Sequence, residues 1–209
     1  MDRKGILLVV SGFSGAGKGT LMKELVSRYD NYALSISATT RSPREGEVDG
    51  REYFFRTKEE FEQMIADEAL IEHACYVGNY YGTPRAYVEE QLALGRDVIL
   101  EIEIQGALQI KKRFPDTLLL FVSTPDAETL KNRLIGRGTE SLDVVEKRLS
   151  RASEEAEGIE NYDYFIINDD LDTCVTQVHQ IIQGEHSRVS RNLELINTIK
   201  KDISKFQTG

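Results

Sequence analysis

The chain has 209 residues, a formal net charge of −9, 40% hydrophobic and 29% charged residues. That length suffices for one α/β domain with a sizeable core and small inserted subdomains, and the ordinary composition argues against disorder. The acidic balance argues against a nucleic-acid surface, which is usually basic, but it allows a small anionic ligand if positive charge is gathered locally.

The opening "MDRKGILLVVSG" has too short an apolar run for a signal peptide or a membrane span. Ile6 to Val10 reads as a buried strand of a parallel sheet. Leu21, Met22, Leu25, Val26 and Tyr29 then recur at helical spacing. Between them lies "GFSGAGKGT", whose Gly12, Gly17 and Lys18 fit the G-x-x-x-x-G-K frame. Glycines there let successive N–H groups point at phosphate oxygens, the helix expected from Gly19 adds its dipole, and the lysine reaches the β- and γ-phosphates. The usual Ser/Thr after the lysine is replaced by Gly19, with Thr20 next. Magnesium is therefore expected to be held through water and by the nucleotide phosphates.

Residues 36–55, "ISATTRSPREGEVDGREYFF", carry Arg41 and Arg44 three apart in a segment broken by Pro43, Gly46 and Gly50. Thr57 to Glu60 reads as a capping box opening a short helix. Thr83-Pro84 and Thr124-Pro125 each read as an N-cap followed by proline at the first helical position, with stops near Gly95 and at Gly136. Val98–Ile102, Leu118–Val122 and Phe165–Ile167 read as further strands. Glu101 and Glu103 alternate with Ile102 and Ile104, which predicts both carboxylates on one face of a strand end. A long amphipathic segment from about Leu171 to Phe206, broken near Gly184, closes the chain. Cys75 and Cys174 form no C-x-x-C and are expected as free thiols in a reducing cytosol. His73, His179 and His186 have no metal-ligand spacing and read as surface or filler positions. Alternating strands and helices predict a mostly parallel, doubly wound α/β sheet, interrupted over residues 34–83 by an inserted subdomain.

Together "GFSGAGKGT", "TTRSPREGEVDGREYFF", "IEHACYVGNYYGTP", "LEIEIQGA", "RLIGRGT" and "NDDLD" resemble the guanylate kinase family, in order, over residues 5 to 185 and most closely its bacterial members. The resemblance implies a P-loop core (1–33, 84–125 and 157–209), a GMP-binding subdomain (34–83) and a helical lid (126–156). It implies MgATP-dependent, in-line transfer to GMP, with dGMP as a secondary acceptor, in a cytoplasmic monomer or homodimer without nucleic-acid or membrane partners. ATP is then expected on Gly12, Phe13, Ser14, Gly15, Ala16, Gly17, Lys18, Gly19 and Thr20, with Asn168 and Asp169 beside adenine. Arg41 and Arg44 are expected to fork onto the GMP phosphate, which lysine could meet only as a point charge, with Tyr53 and Tyr81 adding phenolic donors. Glu72 is expected to accept from guanine N1–H and N2–H, and Ser37 and Thr83 to donate to O6. Glu101, with Thr20, is assigned to outer-shell magnesium contacts and Glu103 to the acceptor site, where the family usually has aspartate. Lid arginines Arg137 and Arg148 complete the catalytic set with Lys18, Arg41 and Arg44. Capping or solvent-facing roles remain open for Thr83, Glu72, Arg148, Asn168 and Asp169. Two other functions also stand beside this one. One is a non-catalytic binding module of the same fold, which would typically have a degraded phosphate loop. The other is a kinase for another monophosphate, against which the Ser37, Glu72 and Thr83 set argues in the case of AMP.

Overall fold

The structure, a computed structural model, describes residues 4–76, 78–135, 148–150, 152–153 and 155–206. Five parallel strands form the main sheet: β1 (Leu7–Gly12), β2 (Tyr32–Leu34), β7 (Asp97–Glu101), β8 (Leu118–Ser123) and β9 (Tyr164–Ile167), in the order β2-β7-β1-β8-β9. Strand alternation divides the core into two layers. Leu8 and Val10 pack on one face with α1 (Lys18–Arg28) and α6 (Leu171–His186), through Leu21, Leu25, Val175 and Ile182. Leu7 and Val9 pack on the other with α3 (Arg85–Ala93) and α4 (Ile104–Arg113), through Val88, Ala107 and Ile110. Both faces are covered, which is why these strands read as continuous apolar runs. The chain leaves β1 for neighbours on opposite sides, so a crevice opens beyond the carboxyl end of β1, where such sheets bind ligands.

A second, four-stranded sheet is formed by β3 (Ala38–Thr39), β4 (Phe54–Phe55), β5 (Leu70–Tyr76) and β6 (Asn79–Pro84), in the order β4-β3-β6-β5. Phe61 of α2 (Lys58–Ala66) is fully buried against Ala38 and Leu70 and stacks on Tyr80. The capping box expected at Thr57 and Glu60 is present. Ile71 of β5 enters the main core beside Leu100 and Ala107, and this tie fixes the second sheet against the first.

Several local readings are corrected. Thr83 lies within β6 and makes no cap; α3 begins after Pro84, which has no side chain able to accept. In α5 (Ala127–Ile135) it is Asp126, rather than Thr124, whose carboxylate accepts the Thr129 N–H at 2.6 Å; the Thr124 hydroxyl is spent on the Asp126 carbonyl. Gly136 lies outside the described residues. Gly184 is inside α6, and the terminal segment instead breaks at Ser187–Arg188, passing through a 3-10 turn (Val189–Asn192) into α7 (Leu193–Ser204). Strand β7 ends at Glu101, so Glu103 is the residue preceding α4 rather than a strand residue.

Two histidines read as filler have defined partners. His186 Nε2 lies 2.8 Å from the fully buried Asp97, which also accepts from the Ile6 N–H and the Asn31 amide. His179 stacks on Tyr29 with ring centroids 3.6 Å apart.

Candidate active site

The turn from β1 into α1 is a phosphate loop by its backbone. Gly17 stands at φ +87°, and a Cβ there would meet the Asn168 amide nitrogen at 2.7 Å, so only glycine fits. That amide is buried and donates to the Ala16 carbonyl at 2.8 Å, while the Asn168 carbonyl accepts from Arg133 at 2.9 Å. Asn168 thus braces the loop from its protein side and does not border the cleft. Phe13 turns to the core, edge-on to Phe121, and Ala16 is fully buried; neither lines the cleft. Lys18 lines the cleft and folds back onto the loop, its ammonium donating to the Gly12 and Phe13 carbonyls at 2.7 and 3.2 Å.

One cavity of about 650 Å³ runs from this loop across to the second sheet, a volume typical of small-ligand sites. Its phosphate-loop end holds Ser14, Gly15, Lys18, Gly19 and Thr20, with Glu101 across from Gly19; a Cβ on Gly19 would lie 3.8 Å from the Glu101 carboxylate. Although solvent reaches Glu101 through the cavity, the surrounding wall withdraws enough water to push its carboxyl up, against the pull of Lys18 and Lys23. Arg148 and Glu103 border the middle of the cleft. Arg137 lies outside the described residues, as do the rest of residues 136–147 and residues 151 and 154 of the segment read as a lid.

At the opposite end, β3 and β6 bring the arginine loop over two phenols. Arg41 lies over the Tyr53 ring, 5.2 Å from its centroid, and Tyr53 meets Tyr81 edge-to-face at 6.1 Å. Burial works against the charged Arg41, but Glu47 beside it leaves the guanidinium held above its ordinary value. Arg44 and Ser37 also line the cavity. Deeper in, pairing of β5 with β6 sets Glu72 opposite Thr83. Burial pushes the Glu72 carboxyl up to about 7, even though the Thr83 hydroxyl donates to it at 2.7 Å and pulls the other way. Thr83 itself is fully buried and sits behind Glu72, off the cavity wall, so its hydroxyl serves the acid directly. Asp169 is exposed and also lies off the wall.

Two residues of this site escaped the sequence reading. A Cβ on Gly106, in the first turn of α4, would meet the Glu72 carboxylate at 2.9 Å, so the bare backbone makes room for the acid. Glu47 ties Arg41 to the loop at 2.9 Å. An acid three residues after Arg44, beside Gly46, is a turn signal that could have found Glu47; Gly106, in a sequence otherwise reading as plain helix, could have been noticed as an exception.

A strand that feeds a G-x-x-x-x-G-K loop at the switch point of a parallel sheet, facing an arginine-bearing sheet across one cleft, defines the class of P-loop phosphotransferases. Within that class, a family model described as "Guanylate kinase" matches residues 4–185. The chain is 53% identical to a guanylate kinase of Bacillus anthracis over 191 residues, covering 91% of this chain and 93% of that protein. It is 48% identical to a guanylate kinase of Lactococcus lactis subsp. lactis over 194 residues, covering 93% and 95%. Among solved structures, a guanylate kinase from Anaplasma phagocytophilum superposes with a TM-score of 0.74 at 30% identity, covering 90% of this chain and 89% of that one. The chain belongs to the guanylate kinase family.

Proposed function

We propose that the protein is an ATP:GMP phosphotransferase, catalysing MgATP + GMP ⇌ ADP + GDP and accepting dGMP as well. One observation carries the reading: a single continuous cavity joins Lys18 to the Arg41–Arg44 pair and to the buried acid Glu72. Residues 34–83 act as the acceptor-binding part and the loop of residues 12–20 as the donor-binding part. Arg41, Arg44, Tyr53 and Tyr81 neutralise and orient the acceptor phosphate. Glu72, as carboxylate, accepts the N1–H and N2–H of guanine, with Ser37 donating to O6; adenine lacks both donors at that edge. A polar site of this kind discriminates by about 10⁴ or more.

Lys18 and Arg148 stabilise charge on the transferring phosphoryl group, joined by Arg137 of the lid. Arginines placed this way contribute about 10³ to 10⁵ in rate. A phosphate oxygen of GMP attacks in line, so no protein nucleophile takes part. The residues present fit magnesium as an outer-shell guest. Glu101, beside Gly19, with the Thr20 hydroxyl, would hold it chiefly through water, and the ion would screen phosphate charge. A cytoplasmic location goes with this reading.

The test is ADP production from MgATP with GMP, dGMP, AMP or no acceptor, beside a Lys18→Ala control. Rapid turnover with GMP and dGMP, little with AMP and loss in the control are expected. Turnover with AMP would overturn the role given to Glu72. Folded protein that binds GMP without turnover would overturn the enzyme.

A further inference from the structure

We propose that Glu47 is a positioning residue for the acceptor phosphate: it fixes the Arg41 guanidinium and the arginine loop from behind, without itself touching the ligand. The inference rests on the reading of the Arg41–Arg44 loop as the phosphate clamp. An acid in such a loop is at first sight a liability, because it repels a phosphate and competes for its arginines. The geometry resolves the conflict.

Each carboxylate oxygen of Glu47 has one partner. One accepts from Arg41 Nη2 at 2.9 Å, and the other accepts from the Arg44 backbone N–H at 2.7 Å. The Glu47 N–H donates in return to the Arg44 carbonyl at 3.1 Å, so residues 44–47 close into a turn around Gly46. The acid therefore engages Arg44 through its backbone and leaves that guanidinium to the cavity. The ion pair with Arg41 is largely withdrawn from water, the two side chains being 15% and 17% exposed. Both arginines border the cavity, and Glu47 does not. Arg41 Nη1 is held in turn by the Ser42 carbonyl at 2.7 Å, and its face lies over Tyr53. A guanidinium gripped at both Nη atoms and on one face has lost its rotamer freedom before any ligand arrives, so binding does not have to supply that ordering. The same two bonds hold the Glu47 carboxyl below the usual glutamate range, so it is ionised across the neutral range.

Glu47→Gln separates the two duties. A glutamine oxygen can still accept from the Arg44 N–H and keep the turn, but its amide then presents donors to the Arg41 donors. The measurements are steady-state KM values for GMP and ATP, with the unfolding midpoint, for Glu47→Gln, Arg41→Ala and the double variant. Glu47→Gln is expected to raise KM for GMP about tenfold and to lower the midpoint slightly, leaving KM for ATP unchanged. In the Arg41→Ala background the same change is expected to add nothing, because the acid acts through that arginine. An unchanged or lowered KM for GMP in Glu47→Gln would overturn the inference and make the acid a bystander or a competitor. So would an equal rise in both KM values with a lowered midpoint, or a full tenfold cost persisting without Arg41. If Arg41→Ala itself leaves KM for GMP unchanged, the phosphate clamp has been misassigned and the underlying reading fails. If Arg41→Ala is impaired while Glu47→Gln is not, only the positioning role fails.

Discussion

At the scale of single residues, the proposed acceptor site depends on the ionisation of Glu72. Burial raises its carboxyl from the ordinary 4.5 to about 7. The folded chain therefore binds more protons than the unfolded chain across that window, and stability falls as pH rises through it. Above pH 7 the ligand-free protein carries a buried carboxylate, which on the proposed function is satisfied only when guanine binds. Two outcomes follow. KM for GMP is expected to rise as pH falls below about 7, approaching tenfold per unit, while KM for ATP stays flat. Glu72→Gln is expected to lose turnover with GMP by about 10² or more, yet to unfold above pH 7 at a midpoint no lower than that of the wild type. Gly106→Ala probes the same acid from the other side. Alanine favours a helix over glycine by about 1 kcal/mol, but its methyl would stand 2.9 Å from the Glu72 carboxylate and 3.2 Å from Ile102, so the fold should hold or lose stability. The new methyl drives the carboxylate away from its Thr83 bond, and KM for GMP should rise about tenfold.

At the scale of elements, the site depends on ties that run between strands and helices. Asn168, at the end of β9, satisfies the Ala16 carbonyl and accepts from Arg133 of α5. Asn168→Ala would leave that carbonyl unpaired under the phosphate loop, at about 1–3 kcal/mol of stability, and is expected to raise KM for ATP well above its effect on GMP. Chemical denaturation and kinetics on the same sample check both. Asp97 plays the comparable part at the far end of the sheet, joining the start of β1, Asn31 and α6 through His186. It touches no part of the cleft, so Asp97→Ala should cost stability by about 3 kcal/mol while KM values in the folded fraction stay unchanged.

At the scale of the whole molecule, the phosphate loop and the arginine loop stand on different sheets that share one cavity, and the proposed function makes them the donor and acceptor halves. Ile71 seated among Leu100 and Ala107 holds the two together. Ligand stabilisation should therefore separate by half. GMP and an ATP analogue unable to transfer, each at 100 times its Kd, should each raise unfolding stability by about 2.7 kcal/mol. Lys18→Ala is expected to abolish the ATP increment and keep that of GMP, as read by thermal unfolding. Loss of both increments would show that the halves do not bind independently.

The sequence alone determined the parts whose signal is local. The run from Ile6 to Val10 read as a buried strand, Gly12, Gly17 and Lys18 stand at the spacing of a phosphate loop, and Thr57 with Glu60 made the helix start legible. Arg41, Arg44, Tyr53 and Tyr81 were legible as candidates only through the set of motifs that resembles the guanylate kinase family, because an R-x-x-R loop alone reads as solvated arginines. Tertiary structure decided what those groups face. Thr83 and Thr124 read as caps, because hydroxyl-then-proline is a helix-start pattern, but strand pairing buried one behind Glu72 and Asp126 displaced the other. Asn168 carried a polar label and no sign that the phosphate loop would pack against it. Glu47 and Gly106 matter through residues that the fold brings beside them: a carboxylate's partners and a missing methyl are contacts, and contacts are made only when the chain has folded.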